Sequence, residues 1–230
     1  MENFKPRYYF SEKAISKYKE IFEVEYVWQA IGKISNYLEK ALENKDVEKG
    51  ENTIIEQGAV IKGPVIIGNN CKIMANSYIQ GPAIIGNNTE IRPGTYIRGN
   101  VIIGDYCEIR SELKNAIMMD KSHAAHLSYI GDSIVGERSN LGAGTILSNL
   151  SLSEKPIILK IQDKEIDTGM KKFGAILGED VHAGSNVLTN PGTLVGKNSF
   201  IYPNAVVRKG FYNSNSIIKL KQDIEIVEKE

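Results

Sequence analysis

The chain carries the nonapeptide KGPVIIGNN at residues 62–70 and repeats it, three hexapeptides later, as QGPAIIGNN at residues 80–88. A looser third copy occupies residues 98–106. The underlying unit is six residues long, because isoleucine recurs at every sixth position: Ile55, Ile61, Ile67, Ile73, Ile79, Ile85, Ile91, Ile97, Ile103 and Ile109. A fixed hexapeptide repeat is the sequence signature of a parallel β-helix.

The period of six also predicts where side chains point. It fits neither a helix nor simple strand alternation, so each isoleucine marks one short strand that faces a shared interior. Three such strands make one triangular coil, and Gly-Asn and Gly-Pro pairs fall at its corners, where the backbone needs residues that tolerate left-handed conformations. Cys71 and Cys107 occupy inward positions two coils apart, which predicts buried thiols rather than a disulfide.

Composition restricts the possible partners. The 230 residues carry a formal net charge of zero, which argues against nucleic acid as a partner. The sequence lacks an apolar run of membrane-spanning length, and residues 1–5 do not resemble a signal-peptide core. We therefore expect a cytoplasmic protein that binds neither membrane nor nucleic acid.

The chain divides into an expected helical N-terminal segment, residues 1–50, and a β-helix domain, residues 51–213. In the first, Ser11 is a candidate N-cap, and residues 25–42 show the apolar periodicity of an amphipathic helix. The apolar face of this helix predicts a cap on the end of the solenoid, with subunit docking as the alternative. Residues 214–230 predict a C-terminal strand that covers a neighbouring subunit.

Two departures interrupt the repeat. The interval from Ile109 to Val135 exceeds four hexapeptides by two positions, which predicts a loop that leaves the stack there. Residues 150–171 form an insert with the pattern of a hairpin or long loop. Site residues collect on such breaks.

Two motifs resemble a known family. HLSYIGD at residues 126–132 and NLGAGTI at residues 140–146 closely resemble the acetyltransferase domain of the bifunctional bacterial enzyme that makes UDP-N-acetylglucosamine. Archaeal sugar-phosphate nucleotidylyltransferases carry a similar domain. The resemblance covers residues 55–210 and implies an all-β, left-handed parallel β-helix that forms a homotrimer. It also implies acetyl transfer from acetyl-CoA to an amino-sugar phosphate such as glucosamine 1-phosphate, by the acetyltransferase half of such enzymes standing alone.

The same resemblance implies roles for individual residues. His126 takes the place of the catalytic base, because a neutral imidazole can accept the proton that an attacking amine must lose. The implied acceptor-binding residues are Lys114, Tyr129, Asn140, Lys172 and Arg92. Arg92 lies further before Lys114 than the corresponding arginine does in the family, so Arg110 is an alternative. The implied acetyl-CoA-binding residues are Ala143, Asn149 and Ser185, although Leu150 replaces the family's tyrosine after Asn149.

Other functions stay open on the sequence alone. His123, His126 and His182 suggest zinc, as in the trimeric γ-class carbonic anhydrases, but the close spacing of the first two matches that family poorly, and we expect no metal. The chain could instead be a non-catalytic trimerisation or regulatory module. A third possibility is an acyltransferase with another sugar acceptor or a longer acyl donor.

Overall fold

A computed structural model describes residues 2–153, 155–161, 164–221 and 225–228. Over these residues the chain forms a left-handed parallel β-helix of nine coils, with a helical N-terminal region packed against it. The fold class predicted from the hexapeptides is confirmed. Each coil has three faces, and each face is a stack of short parallel strands in register.

The three faces are named by what surrounds them. The helical face comprises β1 (Val47–Lys49), β4 (Val65–Ile67), β7 (Ala83–Ile85), β10 (Val101–Ile103), the ends of β12 (Glu112–Met118) and β14 (Tyr129–Val135), β19 (Ala175–Leu177), β22 (Thr193–Val195) and β25 (Gly210–Tyr212). The second face comprises β2 (Ile54–Ile55), β5 (Lys72–Ile73), β8 (Glu90–Ile91), β11 (Glu108–Ile109), β13 (His123–Ala124), β15 (Asn140–Leu141), β20 (His182–Ala183), β23 (Phe200–Ile201) and β26 (Ile217–Ile218). The third face comprises β3 (Val60–Lys62), β6 (Tyr78–Gln80), β9 (Tyr96–Arg98), the starts of β12 and β14, β16 (Ile146–Leu147), β21 (Leu188–Thr189) and β24 (Val206–Val207).

The repeat isoleucines fill the interior of the solenoid. Those from residue 67 to residue 109 are buried in one continuous core, while Ile55 and Ile61 in the first coil are partly buried. Both cysteines are buried and unpaired in the same core, as predicted, and burial raises the pKa of the Cys107 thiol to about 11. The periodic residue is therefore the inward residue of each strand.

The corner between the helical and second faces, called the asparagine corner, is held by a side-chain ladder. Asn70 and Asn88 turn this corner with left-handed φ values of 55° and 54°. Beside them, the side chain of Asn87 accepts from the amide of Asn69 at 2.8 Å, and Asp105 accepts from the amide of Asn87 at 2.7 Å. Along this corner, from Glu51 to Asp120, an amide or carboxylate oxygen of one coil thus accepts from the backbone of the coil before it.

The N-terminal region consists of short helices around one longer one: a 3₁₀ turn (Glu2–Phe4), α1 (Pro6–Tyr9), α2 (Glu12–Lys17), α3 (Lys19–Phe22) and α4 (Gln29–Ala41). Ser11 caps α2 by accepting a hydrogen bond from the amide of Ala14, which confirms the predicted N-cap. The predicted helix over residues 25–42 begins later than expected, at Gln29.

These helices cover the flank of the solenoid, so the expectation of a cap on its end was wrong. Buried residues of α4 and Trp28 share a core with the outward side chains of the helical face: Ile66, Ile84, Ile102, Ile117, Ile134, Ile176, Leu194 and Phe211. The reason lies in runs such as VII at residues 65–67, where the outward residue is apolar too. A strand that is apolar on both sides is covered on both sides.

The phase break after Ile109 is a contraction, so the predicted loop was also wrong. Ile109 pairs with Ala124, and Leu113 pairs with Ile130, so both of these coils are shorter than three hexapeptides. The chain therefore loses residues at corners and keeps its coils stacked. The interval from Ile109 to Val135, which suggested an insertion, contains five strand-to-strand steps and falls short of five hexapeptides.

The insert at residues 150–171 does contain a hairpin. Its strands β17 (Ile158–Ile161) and β18 (Lys164–Asp167) pair antiparallel, and Ile157 and Leu159 are buried in the core under the helices. In the predicted C-terminal strand, the described residues form strand only at Ile217–Ile218, while Ile224 lies outside the described residues.

We expect Ile85→Ala to lower the free energy of unfolding by about 2–5 kcal/mol, because it removes buried methylene groups from a packed interior. Chemical denaturation measures the change. Leu152→Ala is the control, since Leu152 is fully exposed. Equal effects of the two substitutions would contradict the assignment of Ile85 to the core.

We expect Gly192→Ala to destabilise the protein more than Gly169→Ala. Both glycines have left-handed φ, 86° and 68°, so alanine costs about 1–2 kcal/mol of backbone strain at either. A Cβ at Gly192 would also lie 2.7 Å from Cγ2 of Ile157, which adds overpacking against the insert, whereas nothing lies within 4 Å at Gly169. Thermal melting and limited proteolysis of the insert measure the difference, and equal losses would contradict the described insert packing.

Candidate active site

Two further corners carry the candidate site residues. The histidine corner lies between the second and third faces, and the insert corner lies between the third face and the helical face. The third face, between these corners, carries Tyr129 and Lys114 on neighbouring strands. A single face and its two borders therefore hold most of the candidates.

His126 lies on the histidine corner, in the loop between β13 and β14, and is exposed. The buried hydroxyl of Ser111 shares its one proton between the carbonyls of Ala124 and His126, at 3.0 and 3.2 Å. In the coil of Ser111, the inward residues on either side of this corner, Ile109 and Leu113, are four positions apart. In the coil before, the corresponding residues are six positions apart. The backbone of His126 is thus held over a shorter corner while its imidazole remains open to solvent.

Ala143 and Ser185 stack on the same corner in the next two coils. The carbonyl of Leu127 accepts from the amide of Gly144 at 2.8 Å, and the carbonyl of Ala143 accepts from the amide of Asn186 at 2.7 Å. Rungs of a sheet are about 4.8 Å apart. His126 is therefore followed along the solenoid axis by a column of small, exposed residues.

The third face presents a second basic residue that sequence reasoning missed. Ile97 pairs with Leu113, which places Arg98 directly below Lys114 in the column. Arg98 also forms an ion pair with Glu112 at 2.7 Å. The interval from Arg98 to Lys114 is shorter than three hexapeptides, so the regular repeat does not predict that these two residues align.

The structure does not bring Arg92 to this face. Arg92 lies beside the second face, where it pairs with Glu108 at 2.7 Å and Glu90 at 3.5 Å. The alternative, Arg110, is exposed and donates to the carbonyl of Pro93 at 3.1 Å. Because the coil after Arg92 is shortened, Arg98, and not Arg92, shares a column with Lys114.

The insert corner joins Tyr129 to Asn149 and Lys172. The phenol of Tyr129 donates to Oδ1 of Asn149 at 3.3 Å. The amide of Phe173 donates to the carbonyl of Asn149 at 2.9 Å, and Leu150 forms a bridge with Lys172. Lys172 is exposed where the insert returns to the solenoid. Burial, with the nearby carboxylates of Asp132 and Glu112, raises the pKa of Tyr129.

Asn140 lies away from this group, on the second face. It is exposed in β15, with His123 and His182 as its partners in register on either side. A single chain therefore does not bring Asn140 and Lys172 into one cleft. Nδ1 of His123 is 3.8 Å from a carboxylate oxygen of Glu108. Across the described ranges, no group of three or more His, Cys, Asp or Glu side chains is placed to hold a metal ion.

A cavity of about 710 Å³ lies between the insert and the last coils. Its lining combines apolar side chains of the insert with the cationic residues Lys155, Arg208 and Lys209. The side of the solenoid next to Asn149 is thus concave and positively charged.

Among the helices of the described residues, none combines the length and the apolar composition of a membrane span.

Comparisons with known proteins identify the family. The profile described as "GMPPB C-terminal domain" matches residues 79–195, and the profile "Bacterial transferase hexapeptide (six repeats)" matches residues 50–81. The Escherichia coli K12 protein named "Putative uncharacterized acetyltransferase YaiX" is 32% identical over 178 residues, which are 76% of each chain. The chain belongs to the hexapeptide-repeat acyltransferase family. The resemblance inferred from HLSYIGD and NLGAGTI is confirmed.

Other relatives match a part of the chain. The "Bifunctional protein GlmU" of Methanococcus aeolicus is 39% identical over 114 residues, which are 50% of this chain and 28% of that protein. The "Bifunctional sugar-1-phosphate nucleotidylyltransferase/acetyltransferase" of Sulfurisphaera tokodaii is 42% identical over 98 residues, 43% of this chain and 24% of that one. The acyltransferase chain thus spans about a quarter of these relatives. The solved "polySia specific acetyltransferase NeuO" aligns over 79% of this chain and 87% of its own, with 17% identity and a TM-score of 0.41.

Proposed function

We propose that the protein transfers an acetyl group from acetyl-CoA to the amine of an amino-sugar phosphate similar to glucosamine 1-phosphate. The observation that carries this proposal is the position of His126, exposed at the border of a face that also presents Arg98, Lys114 and Tyr129. The name of the Sulfurisphaera tokodaii relative, a sugar-1-phosphate nucleotidylyltransferase/acetyltransferase, supports a sugar-phosphate substrate.

The phosphate of the acceptor binds Arg98 and Lys114. These residues occupy successive rungs of the third face, with their backbones about one strand spacing apart, so both side chains can reach one dianion. Arg98 pairs with Glu112 at 2.7 Å, and a phosphate would compete with that carboxylate for the guanidinium. Lys172 adds a further cation from the insert side.

His126 acts as the general base. The amine of the sugar attacks the thioester carbonyl and must lose a proton, which the neutral imidazole accepts. The carbon–sulfur bond then breaks, and the imidazolium returns the proton to the departing thiolate. The exposed position of His126 leaves room for both substrates, and the hydrogen bond from Ser111 holds its backbone carbonyl.

Ala143 and Ser185 hold the acyl donor, with Asn149 at the far side of the third face. The exposed column of small residues above His126 fits a narrow, extended chain such as the pantetheine arm. Leu150 departs from the family's tyrosine, so the contacts around Asn149 differ from those of the family. Acetyl-CoA supplies the activated acyl group.

We also propose a homotrimer in which neighbouring chains close the groove beside the third face. The helices occupy the helical face, so the second and third faces remain for contact. Large apolar residues are exposed there, including Leu127 at 60%, Phe200 at 50% and Val206 at 60%. In such an assembly Asn140 of a neighbour can complete the site. The cytoplasmic location expected from the sequence stays a prediction.

The test is release of free thiol from acetyl-CoA with a panel of amino-sugar phosphates that includes glucosamine 1-phosphate. We expect acceptor-dependent release, and we expect His126→Ala to lower turnover about 10²–10⁴-fold with unchanged melting. His123→Ala, on the second face, is the matched control and should retain turnover. Normal turnover in His126→Ala would remove the base assignment, and failure to bind acetyl-CoA in calorimetric titration would favour a non-catalytic module.

Arg98→Ala should raise the KM for glucosamine 1-phosphate about 10–100-fold and change kcat little, because it removes a charge-assisted contact made equally in ground and transition states. Arg92→Ala, which removes the same charge from the second face, should change KM less than about twofold. Initial-rate kinetics on both variants measure this. A larger effect at Arg92 would restore the motif-based assignment.

A further inference from the structure

Three polar residues form a ladder at the insert corner. Asn115, Asp132 and Asn149 occupy this corner in successive coils, at equal intervals along the sequence. Nδ2 of Asn115 donates to Oδ1 of Asp132 at 2.8 Å, and Nδ2 of Asn149 donates to Oδ2 of the same carboxylate. Each carboxylate oxygen of Asp132 therefore has an amide partner from a different coil.

The hydrogen bonds of this ladder can run in only one direction. Asp132 is only 6% exposed, and a carboxylate can only accept hydrogen bonds. An amide that turned its oxygen toward this carboxylate would bring two acceptors together without water between them, which is costly in a buried site. Both asparagines must therefore present their N–H groups to Asp132.

The orientation of the Asn149 amide also determines the direction of its hydrogen bond with Tyr129. With Nδ2 of Asn149 committed to Asp132, Oδ1 of Asn149 faces the phenol of Tyr129 at 3.3 Å. Because that oxygen can only accept, Tyr129 must donate its one proton to it. The phenol oxygen is then left with lone pairs and no proton for any further partner.

The hydrogen-bonded series from Asp132 through Asn149 to Tyr129, which we call the relay, is closely packed. A Cβ at Gly131 would lie 2.6 Å from the hydroxyl of Tyr129 and 2.7 Å from Nδ2 of Asn149. The backbone of Gly131 is thus directly beneath the contact. Asn115 and Asp132 also have left-handed φ values, 48° and 44°, which Asn and Asp tolerate better than most residues.

We propose that Asp132 is a positioning residue that fixes Tyr129 as a hydrogen-bond acceptor toward the substrate. Tyr129 then recognises a donor, the amine or a ring hydroxyl of the amino sugar, and does not bind its phosphate. This inference rests on the proposed function. The two ends of the acceptor then bind different groups. The cationic residues bind its phosphate, and a lone pair of the Tyr129 phenol accepts a hydrogen bond from its amine or a ring hydroxyl.

A double-mutant cycle with glucosamine 1-phosphate tests the proposal. Tyr129→Phe removes the acceptor and should lower kcat/KM about tenfold. Asp132→Asn keeps the shape but lets the Asn149 amide and the phenol reverse, and should lower kcat/KM about three- to tenfold. If Asp132 acts through Tyr129, Asp132→Asn should have no further effect in the Tyr129→Phe background. Independent, multiplying effects, or full activity in Asp132→Asn, would overturn the proposal.

Asp105→Asn is the matched control. It makes the same substitution in the ladder of the asparagine corner, where Asn69 and Asn87 show that an amide fits. We expect unchanged kcat/KM from this variant. An equal loss in Asp105→Asn and Asp132→Asn would assign the effect to general loss of corner stability and overturn the positioning role.

A second readout needs no substrate and separates this inference from the proposed function. Loss of the Asp132 charge by itself would lower the phenol pKa of Tyr129, so the substitution for this readout is Asn149→Ala, which leaves that charge in place. An oxygen that accepts the phenol proton stabilises the neutral phenol. In ¹³Cζ-tyrosine NMR, with the Tyr129 signal assigned from Tyr129→Phe, Asn149→Ala should therefore lower the phenol pKa. A raised or unchanged pKa would overturn the relay even in an active enzyme, and a lowered pKa in a protein without transferase activity would sustain the relay while the proposed function fails.

Discussion

Every surface residue of the solenoid is placed by the register in which one coil stacks on the next. The inward isoleucines hold the coils together, and the parallel strands repeat at about 4.8 Å. A side chain therefore has two coordinates, its coil and its position within the coil. Function follows from which residues share a column or a corner, as Arg98 and Lys114 do on the third face.

The departures from the regular repeat lie around the candidate site. The corner before His126 is shorter than its predecessor, and the insert leaves the solenoid just after Asn149. A regular coil presents its outward side chains at a fixed spacing. Shortening one corner and extending another changes the shape of the surface locally while the strands on either side remain in register.

The polar groups at the insert corner also depend on how the coils stack. A buried carboxylate needs partners, and the two coils beside Asp132 each supply one amide. This arrangement orients Tyr129 without placing a charge against the substrate. The helices add a second constraint, because they bury the outward side chains of one face and so leave two faces for substrates and neighbouring chains.

The amino-acid sequence by itself determined the β-helix, its inward residues, the unpaired cysteines and the family. These depend on a local period that each strand repeats, so they can be read without knowing any distant contact. The motifs around His126 and Tyr129 likewise stand within single coils.

Only the tertiary structure decided which coils are short, which face the helices cover and which arginine shares a column with Lys114. Each of these depends on strand pairs that lie closer in the sequence than the regular three hexapeptides, or on the outward side of strands whose inward side carries the repeat. Sequence distance measures position along the chain, whereas a column of side chains is assembled across the coils, so one shortened corner was enough to place Arg98, and not Arg92, in the column of Lys114.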